Sequence, residues 1–423
     1  MSLLPFRIKD KLYYGWVVVI AFLVIGTTLY GIHFSFGIFF KSIESEFNLS
    51  RAATSAILSA NMIFAGIFAF LAGSALDRYG PRIVILVMGL FTGLSLLLTS
   101  QTGAAWQLFI TYSLLLAAGA GPLFVVPMSA VSKWFDKKRG LALGIASSGI
   151  GLGTLFMAPF ATYLISRFDW RMAYLIIGLI AWLFVIPLSR VLKRDPYEIG
   201  ALPDGEIAYS GDRRSEKENI QPVGLSLKKA FRTRSFRLVM FIWFLYASNI
   251  FLVMTHLVPH ATDMGFSELE AATVLSLTGV AAIAGRVLMG VLADRIGRKV
   301  TVIICTLLQA GVMVWLIWAD ELWMFYLFAL VYGYAFGGTS PAMAALLGDT
   351  FGVRSLGAIL GTLEISFGIG GAIGSAAGGL IFDVNNSYSL AFILGAIAMG
   401  IVTLLVSQIR REKNRNFDIG QSR

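Results

Sequence analysis

The chain has 423 residues, 57% of them hydrophobic and 14% charged, with a formal net charge of +10. Soluble domains carry about 25% charged residues, so a soluble enzyme, a disordered chain and a disulfide-built secreted scaffold are excluded. A single cysteine, Cys305, allows neither an intramolecular disulfide nor a cysteine-based metal cluster.

About twenty apolar residues in a helix cross a bilayer core. Twelve such spans are predicted in chain order, at about 15–40, 53–75, 83–101, 106–132, 141–166, 172–192, 238–260, 271–293, 300–319, 322–348, 356–382 and 389–408. The first follows a basic start but is too long for a signal peptide's apolar region, and no small-residue cleavage site closes it. Between spans 6 and 7 lies one long polar stretch, 193–237. It contains a basic amphipathic segment from Leu225 to Phe231, expected to lie on the membrane surface as a short helix. The expected fold class is thus an all-α membrane protein of twelve transmembrane helices. It divides into an N-terminal bundle (1–192), a cytoplasmic linker (193–237) and a C-terminal bundle with a tail (238–423).

Twenty-nine of the 34 Lys and Arg fall on the side that holds both termini, against Lys41, Arg51, Arg167 and Arg171 on the other; Arg286 lies inside a span. Lys and Arg concentrate on the cytoplasmic side, so both termini are expected in the cytoplasm of a cell (inner) membrane. The positive charge is then a topological signal rather than a nucleic-acid footprint.

The two halves repeat. Gly73-Ser-Ala-Leu-Asp77-Arg78-Tyr-Gly80-Pro-Arg82 follows span 2, and Gly290-Val-Leu-Ala-Asp294-Arg295-Ile-Gly297-Arg298-Lys299 follows span 8, at an offset of 217. The same offset aligns Gly140, Gly144, Gly151 and Gly153 with Gly357, Gly361, Gly368 and Gly370. Internal repeats in a twelve-span chain mark secondary transporters, whose site lies near the midplane between the halves. The duplicated G-x-x-x-D-R-x-G-x-[RK] loop resembles the signature of the major facilitator superfamily. A physical role for it is a cytoplasmic lock, in which Asp77 or Asp294 pairs with basic groups at a nearby helix end, with Arg78 and Arg295 beside them. The competing reading is ordinary turn and positive-inside residues.

A narrower resemblance covers most of the chain. The run from Trp134-Phe135 through Lys137-Lys138-Arg139, Leu141-Ala142, Gly144, Ala146 and Gly149 is similar to the pattern [YF]-F-x-[KR]-[KR]-R-x-L-A-x-G-x-A-x-x-G of the monocarboxylate porter family. Tyr14-Gly15-Trp16, Phe168-Asp169-Trp170-Arg171, Arg194-Asp195-Pro196 and Pro203-Asp204-Gly205 fit it too. The resemblance extends to bacterial oxalate:formate exchangers.

Once the loops and their flanks, Arg190 included, are accounted for, two Asp, Glu, Lys or Arg residues remain within spans, Arg286 and Glu364. Such charges are costly in lipid and are expected to face a cavity or a partner. Arg286 precedes Asp294 by eight residues and Glu364 follows Ser355 by nine, which places both roughly 12–14 Å deep at 1.5 Å per residue. Their repeat mates are Ala69 and Ser147, so the scaffold works there without charge. A guanidinium binds a carboxylate bidentately, and a glutamate can carry a proton. The expectation is that substrate and Glu364 compete for Arg286, one proton crossing with one monoanion. The competing reading is a buried Arg286–Glu364 bridge that pins the second half.

The family resemblance implies an arginine in span 8 and a glutamate in the second half, matched by Arg286 and Glu364. It also implies an aspartate and a lysine where this chain has Ala282 and His33-Phe34. His33 is the substitute candidate for proton handling; helix packing is its alternative. Tyr332, Tyr334, Phe336 and Tyr30 are candidate walls of the site, with Tyr332, Tyr30 and Asn249 preferred as substrate contacts. His256 and His260 share a face near the outer end of span 7 and are expected to line a mouth rather than bind metal. The Gly-rich runs 117–121 and 368–379 are expected to pack closely. No phosphate loop supports coupling to ATP.

Together these features predict a secondary active transporter of a small monocarboxylate, lactate- or pyruvate-like, by proton symport with alternating access. It is expected to act as a monomer in membrane lipid, without cofactor, metal or nucleic-acid partner. The alternative is an organic anion exchanger of the oxalate:formate kind, and the third reading is a non-transporting membrane sensor.

Overall fold

A computed structural model of the chain describes residues 13–49, 51–205 and 224–410. The basic residues from Arg7 to Lys11, Arg213 to Lys217 and Arg411 to Arg423, which enter the topology count, lie outside the described residues. So does the middle of the linker.

Among the described residues, twelve helices are long and apolar enough to cross a membrane. They are α1 (Tyr14–Glu46), α2 (Arg51–Tyr79), α3 (Pro81–Thr99), α4 (Ala105–Trp134), α5 (Arg139–Arg167), α6 (Trp170–Val191), α7 (Arg234–Asp263), α8 (Glu268–Ile296), α9 (Arg298–Leu316), α10 (Leu322–Phe351), α11 (Leu356–Asn385) and α12 (Ser389–Gln408). Several outrun their predicted apolar stretches, because apolar length measures the bilayer core while the helix continues into the polar interface.

Local chemistry sets the helix ends and bends. Asp169 caps α6 by accepting from the Met172 N–H at 2.6 Å, and Thr233 caps α7 by accepting from Phe236 at 3.1 Å. Ser267 and Glu270 form a reciprocal capping box at the start of α8. Gly80 and Gly297 make the turns out of α2 and α8 with φ of 81° and 100°, a region where a side chain is disfavoured. That is why the repeated motif carries glycine there. α1 bends at Ser35, whose hydroxyl donates to the Ile32 carbonyl at 2.8 Å.

Large apolar side chains such as Leu90, Leu94 and Leu98 on α3, Leu183 on α6 and Leu404 on α12 are exposed. An exposed apolar surface this extensive requires lipid around it. Inside each half, helices pair closely: α1 with α5, α3 with α6, α7 with α11, and α8 with α10. The Gly-rich runs supply the contacts. A Cβ on Gly119 would lie 2.8 Å from the Met88 carbonyl oxygen, and one on Gly374 would lie 2.0 Å from that of Ser248.

The halves meet along two crossings, α2 with α11 and α5 with α8. A Cβ on Gly73 would fall 2.1 Å from the Gly357 oxygen, and one on Gly290 would fall 2.4 Å from the Gly140 oxygen. Further in, Gly361 meets the Ala69 oxygen at 2.6 Å and Gly144 the Arg286 oxygen at 2.1 Å. These pairs are repeat mates at the 217 offset, so both crossings obey one pseudo-symmetric rule. The amphipathic segment is not only a surface helix. Its one-turn helix, Leu227–Ala230, exposes Lys228 and Lys229, while Leu225 is buried and donates its N–H to the Phe351 oxygen at 2.8 Å.

Candidate functional site

Arg286 sits at the α5–α8 crossing, where Gly144 leaves room for its backbone. Its side chain is 3% exposed and its guanidinium lies over the Phe336 ring at 5.7 Å. Its Nε has no hydrogen-bond partner. Nη1 points across the crossing, 3.8 Å from where a Cβ on Gly151 would stand. Among the described residues no carboxylate pairs with it. The phenol groups of Tyr246 on α7 and Tyr30 on α1 stand nearby.

Glu364 is partly buried on α11, with the Trp243 indole beside its carboxyl. Trp243 is 2% exposed, and its Nε1 has no partner of good geometry. The pinning bridge between Arg286 and Glu364, the competing reading, is absent among the described residues. Tyr30 lies within electrostatic range of both charges. One side chain from the first half therefore stands near the two intramembrane charges of the second.

Other candidates fall elsewhere. Tyr332 and Asn249, expected as substrate contacts, satisfy each other inside the second half: the Tyr332 hydroxyl donates to Asn249 Oδ1 at 2.8 Å. The Asn249 amide donates to the Gly395 oxygen at 3.3 Å and faces the Met313 sulfur. Both residues are buried, so their polar atoms are committed to each other and to packing. Tyr334 belongs to a small cluster with Met289 and Cys305. Phe336, one turn beyond Tyr332, is the aromatic that reaches Arg286. His33 is partly buried, its Nδ1 without a partner and its ring edge-on to Phe34 at 5.2 Å. His256 is buried and His260 partly buried, both packed against neighbouring helices. The first shares a 2.9 Å hydrogen bond with the Ser375 carbonyl, and the second is enclosed by Phe325, Tyr388 and Phe392. No group of metal ligands occurs among the described residues.

At the end of the bundle that carries the repeated motif, each aspartate crosses to the other half. Asp77 accepts from the N–H groups of Gly357 and Ala358 at 3.3 and 2.9 Å, and Asp294 from those of Gly140 and Leu141 at 2.8 and 2.9 Å. Each thus caps the exposed N–H groups at the positive end of a helix in the opposite half. Basic partners stand farther off, Lys133 at 3.7 Å from Asp77 and Arg298 at 3.8 Å from Asp294. Arg78 and Arg295, expected beside the lock, are exposed, and Arg78 lies over the Tyr79 ring. One residue past the aspartate turns a side chain by about 100° on a helix, which carries both arginines away from the crossing. The sequence reading missed Asp349, which joins Arg139 of the first half at 2.6 Å and also binds Arg298. It also missed Trp243 and Tyr246. Both lie on α7, and the one sequence signal was position: Tyr246 stands one turn before Asn249.

Residues 18–288 and 239–421 match the family described as Major Facilitator Superfamily. The chain is 26% identical to monocarboxylate transporter 13 of Bos taurus, over 90% of this chain and 86% of that protein. It is 27% identical to monocarboxylate transporter 11 of Mus musculus, over 90% and 84%. The fold resembles the E. coli fucose:proton symporter FucP with a TM-score of 0.71 at 16% identity, covering 95% of this chain and all of that one. The chain belongs to the major facilitator superfamily: it is a multi-pass secondary transporter, not an enzyme, and a distant relative of the monocarboxylate transporters.

Proposed function

We propose that this protein carries a small monocarboxylate, lactate- or pyruvate-like, across the membrane together with one proton. The observation that carries this reading is Arg286, a buried guanidinium at the junction of the halves with no carboxylate partner among the described residues. A buried charge without a partner costs several kcal/mol, and a planar bidentate donor is matched by a carboxylate. The substrate anion supplies the missing partner. The distant kinship to proteins named monocarboxylate transporters supports the same class.

The charge balance favours a proton as companion. An anion moving alone carries charge against the membrane potential, about 2.3 kcal/mol per 100 mV. Glu364 and His33 are the proton candidates, and Tyr30 sits where it senses both Arg286 and Glu364. Because Arg286 and Glu364 are not paired in this conformation, competition between Glu364 and substrate belongs to another state of the cycle. The abundance of Lys and Arg at the motif end supports a cytoplasmic location for that end and for both termini. The conformation is then closed toward the cytoplasm by the Asp77 and Asp294 caps.

Uptake of labelled short carboxylates into proteoliposomes tests the reading. An inward proton gradient is expected to accelerate lactate or pyruvate uptake into vesicles that hold no internal anion. Stimulation by internal anion alone would establish exchange instead. Absence of uptake for every short carboxylate would refute the substrate class.

A further inference from the structure

The linker between the halves grips both gates at repeat-equivalent places. Its first part folds back on the motif end through the Arg194-Asp195-Pro196 and Pro203-Asp204-Gly205 segments. Asp195 caps the short turn by accepting from the Glu198 N–H at 3.2 Å, and Glu198 accepts from the Arg194 N–H at 2.8 Å. So fixed, Arg194 donates to the Asp77 carbonyl at 2.8 Å. Asp204 reaches the α4–α5 loop: it accepts from the N–H groups of Asp136, Lys137 and Lys138 at 2.9, 2.7 and 3.2 Å. Tyr13 holds the same corner, donating to the Trp134 carbonyl at 2.8 Å and lying 3.3 Å from that of Leu202. Burial and the nearby Asp204 carboxylate push the Tyr13 phenol above its usual range, so it stays a donor.

The far end of the linker does the same to the other half. Gly224 bridges Gly352 and Leu225 donates to Phe351, at the α10–α11 loop. Residues 135–138 and 352–355 are repeat mates at the 217 offset. Each loop leads into the helix whose first N–H groups receive the aspartate of the opposite half: Gly140 and Leu141 for Asp294, Gly357 and Ala358 for Asp77.

We propose that Asp204 is a positioning residue of the transport cycle, holding the α4–α5 loop so that α5 presents its first N–H groups to Asp294 when the motif end is closed. Three N–H groups on one carboxylate fix both the position and the direction of the loop. Asp204 touches no group of the substrate site, and its three hydrogen bonds go to the backbone of the loop. Losing it leaves the Asp294 cap without a fixed target and favours opening at the motif end. The inference rests on the transport reading for its flux readout alone.

The test is an inter-spin distance across the motif end in the full chain. Labels go on Tyr79→Cys and Ile296→Cys, two exposed repeat-equivalent positions, with buried Cys305 replaced by alanine. Asp204 has φ of 60°, so Asp204→Gly removes the carboxylate without opposing the backbone. This variant is expected to about double the long-distance population. Asp204→Asn keeps one accepting oxygen and is expected to fall between the two, and it carries the test if the glycine variant fails to fold. In flux, the maximal rate changes about threefold or more while the half-saturating anion concentration stays close to the parent value. Distance distributions unchanged in both variants would overturn the proposal. They need no substrate, so their failure is separate from any failure of the carboxylate reading.

Discussion

The proposed reading divides the chemistry between Arg286 and Glu364. The guanidinium lies over the Phe336 ring, which returns about 0.5–2 kcal/mol, less than burial without a counter-ion costs. In the proposed reading, a substrate anion completes the site and offsets this deficit. Glu364 is placed otherwise, beside an indole and apart from the arginine, so it can hold a proton without competing for the guanidinium in this state. Glu364→Gln is therefore expected to abolish acceleration of uptake by an inward proton gradient while leaving counterflow of labelled anion against unlabelled anion largely intact. Gradient-driven uptake at the parent rate would remove Glu364 from the proton path. At this scale, sequence identified the two charges because hydrophobic surroundings made them conspicuous. It did not identify their neighbours. Tyr332 and Asn249 looked as suitable as Phe336 and Tyr246, since a polar group on a helix gives no sign of whether a distant helix already satisfies it.

Among the helices, the decisive feature is backbone contact between halves. Gly144 and Gly361 let α5 and α11 approach the carbonyls of residues 286 and 69 on α8 and α2. Overpacking such a contact costs about 1–3 kcal/mol, and each 1.4 kcal/mol shifts a two-state balance about tenfold. Gly144→Val and Gly361→Val are each expected to cut transport about tenfold or more, in protein that still folds, by favouring the state open at the motif end. Gly37→Ala, at a position that meets nothing within 4 Å, is expected to transport normally. Equal rates for all three variants in proteoliposomes would contradict the account of the crossings. The glycine register was readable from the 217-residue repeat. Which glycine meets which was not, because the repeat aligns Gly73 with Gly290, whereas the fold sets Gly73 against Gly357.

In the whole molecule, the pseudo-symmetric frame is even and the chemistry is not. Both crossings are closed by glycine contacts and both gates by an aspartate cap, yet charge deep in the spans occurs in the second half alone. The frame was legible because apolar length, repeated spacing and basic loops are each local properties of sequence. The cross-half caps and the linker's hold on both gates join residues up to 281 apart in the chain, and no local pattern encodes them. The proposed function rests on this asymmetry: a pseudo-symmetric scaffold would alternate between two closures, and one buried arginine would select what is carried. Equilibrium binding of labelled lactate or pyruvate to the purified protein and to Arg286→Gln, both confirmed as folded, tests that claim most directly. The account predicts saturable binding to the parent and a loss of about a hundredfold or more in affinity for the variant, the scale of a charge-assisted bidentate contact. Equal affinity in the two proteins would contradict it.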